Sequence, residues 1–288
     1  MSIMKQEEFD VLFKDKLKET FKFTIDFFEK NNLQWWACGG TMLGAIRHND
    51  IIPWDDDIDI MMPRDDYNRL ITLKDQFEST RYSLLTPQDD EYWMASAKIC
   101  DWGTTIVETP HDPFPLGVFV DIFPLDQFDY SYDDYKQKFA KYIRVVNAFR
   151  CSMVRYSMKE AYSDIKTRHL GALYTGVKSL FYPYSRRDIY KRRFLNIEQM
   201  FNDRVGKYIA SPTGAYGTRE FFESIWFAET IEVPFGDFMV KVPKDYDKYL
   251  KVMYGNYLEL PPEDKRVTHH GQYYINLEKH LTWEEIRK

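Results

Sequence analysis

The sequence predicts an α+β or α/β domain near the N-terminus, built from strands and helices, and a largely helical remainder. Three observations carry this. Residues 5–31 repeat apolar side chains at helical spacing, residues 35–128 alternate short apolar runs with Gly, Pro and Asp turns, and residues 132 to about 182 return to helical spacing.

The first helix is marked by Phe9, Leu12, Phe13, Leu17, Phe21, Ile25 and Phe28 and stops at Asn31-Asn32. "QWWACGG" is a short apolar run ending in glycines, expected as a strand. "TMLGAIRH" then suits a helix whose first N–H groups are open. "DDIDIMM" alternates like a strand, and "RDDYNRLITLKDQF" returns to helical spacing through Tyr67, Leu70, Ile71 and Phe77. "RYSLLT", "YWMASAKIC" and "TTIVET" are strand-like pieces. After the proline-rich "TPHDPFPLG" comes "VFVDIFPLD", a strong strand pattern. "SRRDIYKRRFLNIEQMF" is a further helix, and the tail "FAETIEVPFGDFMVKVPKDYDKYLKVMYGNY" gives short strands followed by a helix. No internal repeat or low-complexity segment is visible.

At 288 residues with 44% hydrophobic and 29% charged residues, the chain is long and apolar enough to bury a substantial core. A net charge of −6 argues against bulk affinity for nucleic acid. Cys38, Cys100 and Cys151 show neither metal spacing nor a disulfide framework, which points to a reducing compartment. "MSIMKQEEFD" has no signal-peptide core, and no run approaches the roughly 20 apolar residues of a membrane span. The expected location is cytoplasmic, with contact to the inner face of a membrane left open. The stretch from Arg168 to Arg193 joins an apolar patch to the basic "RRDIYKRR". It reads either as a membrane-surface contact or as a core helix beside a solvated one.

Chemistry concentrates in "WACGGTMLGAIRHNDIIPWDDDIDIMMPRDDY". Asp55, Asp57 and Asp59 share a parity, so a strand running that far would set their carboxylates on one face and Ile58 and Ile60 on the other. Like charges this close need a neutraliser, and clustered hard oxygens favour Mg²⁺ or Mn²⁺. The alternatives are a solvated acidic turn and a Ca²⁺ loop; the latter lacks the glycine that an EF-hand loop needs. Gly39, Gly40 and Thr41 precede the acids. Glycines let a backbone approach a phosphate, and the following helix start favours an anion. A phosphate cradle beside a carboxylate-held metal is the minimal equipment for phosphoryl or nucleotidyl transfer. A third carboxylate is expected from Asp121, an isolated charge in "GVFVDIFPLD"; its plainer reading is an ion pair with a nearby Lys or Arg.

"GGTMLGAIRHNDIIPWDDDIDIMMPRDDY" resembles the signature of the LicD family. "GVFVDIFPLD" is similar to its second acidic motif, and "VPKDYDKYLKVMYGNY" with "PPEDKRVTHH" to its C-terminal region. The "WDxDxD" element is also similar in the fukutin group. The resemblance implies a nucleotidyltransferase-like mixed sheet in residues 1–130, a mainly helical insertion at 131–225 and a segment at 226–288 that completes the site. It also implies transfer of a phosphorylated alcohol, typically phosphocholine, from a CDP-linked donor such as CDP-choline. The implied acceptor is a cell-surface glycan of the lipopolysaccharide, teichoic acid or capsule type. By position, Asp55, Asp57, Asp59 and Asp121 match metal-binding carboxylates, with Asp57, Asp59 and Asp121 in catalytic roles. Gly39, Gly40 and Thr41 match a phosphate-facing turn. Arg47, Lys98, Arg266, His269 and His270 match substrate-facing positions. Asp56, where members differ, is not carried over.

Arg47 and Lys98 also read as ordinary surface ion-pair residues, and the histidine pair as a structural or solvated feature. Trp35, Trp36 and Trp54 are expected in the core, and an aromatic cage for a choline is compatible with so many rings. Two rivals stand beside phospho-alcohol transfer. One is a nucleotidyltransferase that uses an NTP and releases pyrophosphate; the other is a non-catalytic carbohydrate- or Ca²⁺-binding protein.

Overall fold

The computed structural model describes residues 6–156, 161–162, 165–166, 170–268 and 273–288. The opening helix α1 (Gln6–Lys30) buries Phe13, Leu17, Phe21 and Phe28, one stripe at i, i+4 and i+7 spacing. Leu12, expected on that stripe, is exposed, because it falls a turn-fraction away from the line through Phe13 and Leu17. The stripe lies across β4 (Ala97–Val107) and β5 (Leu116–Phe128), the two long strands at the centre of the fold.

These strands organise a mixed sheet. β1 (Trp36–Ala37) pairs antiparallel with β2 (Asp59–Pro63), and β2 runs parallel to β5. β5 runs antiparallel to β4, whose first half pairs with β3 (Tyr82–Leu85) and whose second half pairs with β10 (Tyr274–Asn276). "AKIC" and "TTIV", read as separate pieces, are one strand with an irregularity between Asp101 and Ile106. β2 and β5 bury Ile60, Met61, Met62, Val118, Val120 and Ile122, the continuous apolar runs of strands covered on both faces.

Between β1 and β2 stands α2 (Gly39–His48), which ends at Asn49 in the left-handed conformation. α3 (Arg64–Thr72) follows β2 directly. The segment expected to be helical supplies α4 (Tyr132–Met153), α5 (Leu170–Ser179) and α6 (Arg187–Ile197). It also supplies two strands that its composition did not suggest: β6 (Tyr208–Ala210) pairs with the end of β5, and β7 (Phe221–Glu223) pairs with β6. A separate hairpin of β8 (Thr230–Phe235) and β9 (Phe238–Pro243) leads into α7 (Tyr246–Tyr254), and α8 (Trp283–Ile286) lies near the end. Trp35 and Trp36 are buried in the core as expected, and Cys38, Cys100 and Cys151 are buried free thiols. Among the described residues no helix is long and apolar enough to cross a membrane.

Candidate active site

The sheet builds the site from its register. Asp59 on β2 lies opposite Asp121 on β5, and Asp121 lies opposite Lys98 on β4. Register partners share a face, so these three side chains form a row across three strands. Lys98 is buried, and its Nζ donates to Asp121 Oδ2 at 2.7 Å. Burial alone would lower the Lys98 pKa; Asp121 and Glu108 outweigh it and hold the ammonium above its ordinary range. Lys98 is therefore committed to Asp121, and both expectations for Asp121 meet in one residue: it stands beside Asp59 and it has an ion-pair partner.

The parity that would align Asp55, Asp57 and Asp59 is not how they converge. Strand pairing begins at Asp59. Residues 55–58 lie ahead of that strand: Asp55 N–H donates to Ile52 O at 2.9 Å in a turn through Pro53 and Trp54, and Ile58 O accepts from Asp121 N–H at 2.9 Å. That turn gathers Asp55, Asp56 and Asp57, whose ligand oxygens lie within 4.8 Å of one another. Asp56, passed over in the sequence, is thus one of the group. Burial, then Asp57, Asp121 and Asp55, push the Asp59 carboxyl well above the usual carboxylate range, against the pull of Lys98. Clustered hard oxygen donors in a partly buried turn fit a divalent cation such as Mg²⁺ or Mn²⁺.

The glycine turn is shaped to these acids. Gly39 has φ +52°, and a Cβ there would stand 3.2 Å from Asp59 Oδ2. A Cβ on Gly40 would stand 2.3 Å from Asp55 Oδ2, so only glycine leaves that carboxylate its place. Gly39 N–H donates to the Tyr249 hydroxyl at 3.0 Å. Thr41 is buried, and its hydroxyl accepts from Asp59 N–H at 2.8 Å; it fixes the strand start and does not face the cleft as expected.

Outside this floor opens a cleft of about 800 Å³. Its walls join the acidic turn to residues far along the chain: Tyr216, and Tyr254 with Tyr257 at and after the end of α7. The Tyr216 and Tyr254 hydroxyls are 3.0 Å apart. Trp54, expected in the core, is half-buried and lines the cleft. The guanidinium carbons of Arg47 and Arg266 lie 6.0 and 5.6 Å from its ring centre. Arg47 is no surface ion-pair residue: its Nη1 donates to Tyr257 O at 2.8 Å, tying α2 to the C-terminal wall. Arg266 Nε donates to Pro261 O at 2.9 Å. His269 and His270 lie outside the described residues.

Sequence reading missed Tyr216, Tyr249 and Tyr254 as site residues. The quoted "YLKVMYGNY" contains two of them, at helical spacing that brings Tyr249 under Gly39; nothing local marks Tyr216.

A mixed sheet that carries carboxylates on neighbouring strands, beside a glycine turn and an open cleft, is the frame of a phosphotransferase enzyme. Residues 32–146, from the end of α1 into α4, match the family described as LicD/FKTN/FKRP, nucleotidyltransferase domain. Over 259 residues the chain is 28% identical to the lipopolysaccharide cholinephosphotransferase LicD of Haemophilus influenzae, covering 86% of this chain and 92% of that protein. Over 44 residues it is 46% identical to the human ribitol 5-phosphate transferase FKRP, covering 15% of this chain and 9% of that protein. Residues 32–146 are a LicD-family domain.

Proposed function

We propose that the chain moves a phosphorylated alcohol, phosphocholine first, from a CDP-linked donor to a sugar hydroxyl of a cell-surface glycan and releases CMP. The observation that carries this reading is similarity along 92% of a cholinephosphotransferase, with the acidic turn and the Asp59–Asp121 row at the base of the cleft. The acceptor oxygen attacks the phosphorus that bears the alcohol, the bond from that phosphorus to the bridging oxygen breaks, CMP leaves with the electron pair, and the hydroxyl proton is released to solvent.

Asp55, Asp56 and Asp57, with Asp59, would hold Mg²⁺ or Mn²⁺, which when bound supplies positive charge to the pyrophosphate. Arg47 and Arg266, around Trp54, give the cleft mouth a positive rim for the nucleotide phosphate. Asp121 is held in place by Lys98, which makes it a fixed acceptor, suited to orient the attacking hydroxyl. Tyr216 and Tyr254 close one side of the cleft and limit water near the transfer.

The test is a donor screen. Purified protein with Mg²⁺ is incubated separately with CDP-choline, CDP-glycerol, CDP-ribitol and CTP, and the products are identified by mass spectrometry. CMP release from one CDP-alcohol, lost in Asp57→Ala and Asp59→Ala, is expected. Pyrophosphate release from CTP with every CDP-alcohol intact would overturn the reading in favour of nucleotidyl transfer, the activity for which the matched family domain is described.

A further inference from the structure

The face formed by α5 and the turn into α6 is unlike the rest of the surface. α5 packs against α4, and its small residues are on the inner side: Gly176 lies under the ring of Tyr156, just past the end of α4, and the buried Ser179 hydroxyl donates to Gly176 O at 2.6 Å within the helix. Its other side therefore points outward. Tyr174, Val177, Leu180 and Phe181 are all exposed, Phe181 at 77%. They are not a frayed end. Leu180, Phe181 and Tyr182 each bond back three residues through their amides, at 3.3, 3.1 and 2.9 Å, so the turn holds the apolar side chains out.

Positive charge borders them, with the exposed acids Asp90 and Glu91 at one edge beside Lys191 and Tyr184. Residues 170–193 hold Lys178, Arg186, Arg187, Lys191, Arg192 and Arg193 against the single acid Asp188, in a chain whose net charge is −6. Lys191 turns inward and donates to Gln88 O at 3.0 Å, while Lys178, Arg186, Arg192 and Arg193 are exposed. The basic helix is joined to the apolar turn by rings: Tyr190 meets Tyr182 edge-on at 5.5 Å, and the Arg193 guanidinium lies 5.8 Å from the Tyr190 ring. Large apolar side chains held outward and bordered by arginine are the composition of a surface that sits at a headgroup boundary.

We propose that this α5–α6 face docks the protein onto an anionic lipid bilayer, with Leu180 and Phe181 entering the acyl boundary and Arg186, Arg192 and Arg193 engaging headgroup phosphates. Charge selects this occupant. A second copy of the chain placed on the same face would set its own arginines against these, a like-charge contact that costs affinity. An anionic bilayer repels the acidic remainder of the chain and attracts this face, so charge also fixes the orientation. The inference is independent of which phospho-alcohol is moved, because it rests on a surface outside the catalytic cleft.

The test is co-sedimentation of the full chain with vesicles of phosphatidylcholine alone and of phosphatidylcholine mixed with phosphatidylglycerol. Binding to the mixed vesicles, at least about tenfold above that to neutral ones and weakened by salt, is expected. Leu180→Asp with Phe181→Asp abolishes it. Arg192→Glu with Arg193→Glu lowers it about tenfold or more on anionic vesicles. All four side chains are exposed, Leu180 and Phe181 in the turn after α5 and Arg192 and Arg193 on α6, and unchanged far-UV circular dichroism checks that the variants fold. Absence of binding by the wild-type chain, or equal binding by Leu180→Asp/Phe181→Asp, overturns the proposal. So does a concentration-dependent dimer that this double variant disrupts in the absence of vesicle binding, which would assign the face to a second copy.

Discussion

Two groups of charge bracket β2. At its leading end Asp59 has Asp57, Asp121 and Asp55 acting on it, with Lys98 the opposing cation. Just past its trailing end, buried Arg64 holds Asp126 with two bonds, at 2.7 and 3.0 Å, and Glu198 at 3.3 Å. The second group is satisfied from within: a planar guanidinium matches a carboxylate in two parallel bonds and reaches a second acid. It fastens the family domain to the segment after α6. The first group has the larger acidic excess, four carboxylates to one ammonium against two to one guanidinium, with room in front of it and glycines that give its carboxylates their places. The difference teaches that a buried charge cluster is read by its balance and its access to a cleft, because closeness alone is common to both.

The largest way to break the comparison is Arg64→Met, which strands two buried carboxylates and is expected to cost about 3–5 kcal/mol in urea unfolding. A loss below about 1 kcal/mol, the range of an exposed pair, would mean that the cluster is not structural. Asp59→Asn is the converse. Donor turnover falls by about a hundred- to a thousandfold, while the melting temperature holds or rises because one like charge is gone. Turnover close to wild type would remove Asp59 from the chemistry.

Glu220 sharpens the comparison as a buried acid near Tyr216 whose carboxyl burial pushes up to about 7, against the pull of the Tyr216 amide. The folded chain binds this proton more tightly than the unfolded chain does. Its contribution to stability is thus fully present below the ordinary value of 4.5 and is lost as pH rises to about 7. Glu220→Gln, which keeps an acceptor for the Tyr216 amide, is expected to be more stable than wild type by about 2–3 kcal/mol at alkaline pH and equal to it under acid conditions. Thermal melts across pH measure this, and a pH-independent difference would refute the assignment. The smallest effect expected is from the cation itself. Mg²⁺ at about ten times its Kd stabilises the wild type by about 1.4 kcal/mol and leaves Asp57→Ala unmoved; a shift of the same size in both would place the ion elsewhere.

Asp59 and Asp121 were legible because a lone carboxylate in an apolar strand pattern needs a reason, and register then put the two side by side. α1, β5 and α7 followed from periodicity. The route by which Asp55 and Asp57 reach Asp59 was not legible, since a turn after Pro53 and a strand over the same residues share one apolar pattern. Thr41, expected to face a phosphate, holds the Asp59 amide, because a hydroxyl after two glycines suits a phosphate or a strand amide equally well. Tyr216 and Tyr254 were out of reach: their part in the cleft depends on α7 folding back on α2 and on Tyr216 meeting Tyr254, and no local spacing encodes that return. Trp54 looked like core by composition and became cleft wall because two arginines cover its ring.

The contacts that close the cleft join residues separated by 210 positions, Gly39 to Tyr249 and Arg47 to Tyr257. At translation rates of roughly 5–20 residues per second, the acidic turn leaves the ribosome on the order of ten to forty seconds before the tyrosines that wall it. Contacts of such long range also form late and slowly in folding. An emerging chain therefore carries its acids without a finished pocket around them, and the cleft is not complete until synthesis has passed Tyr257.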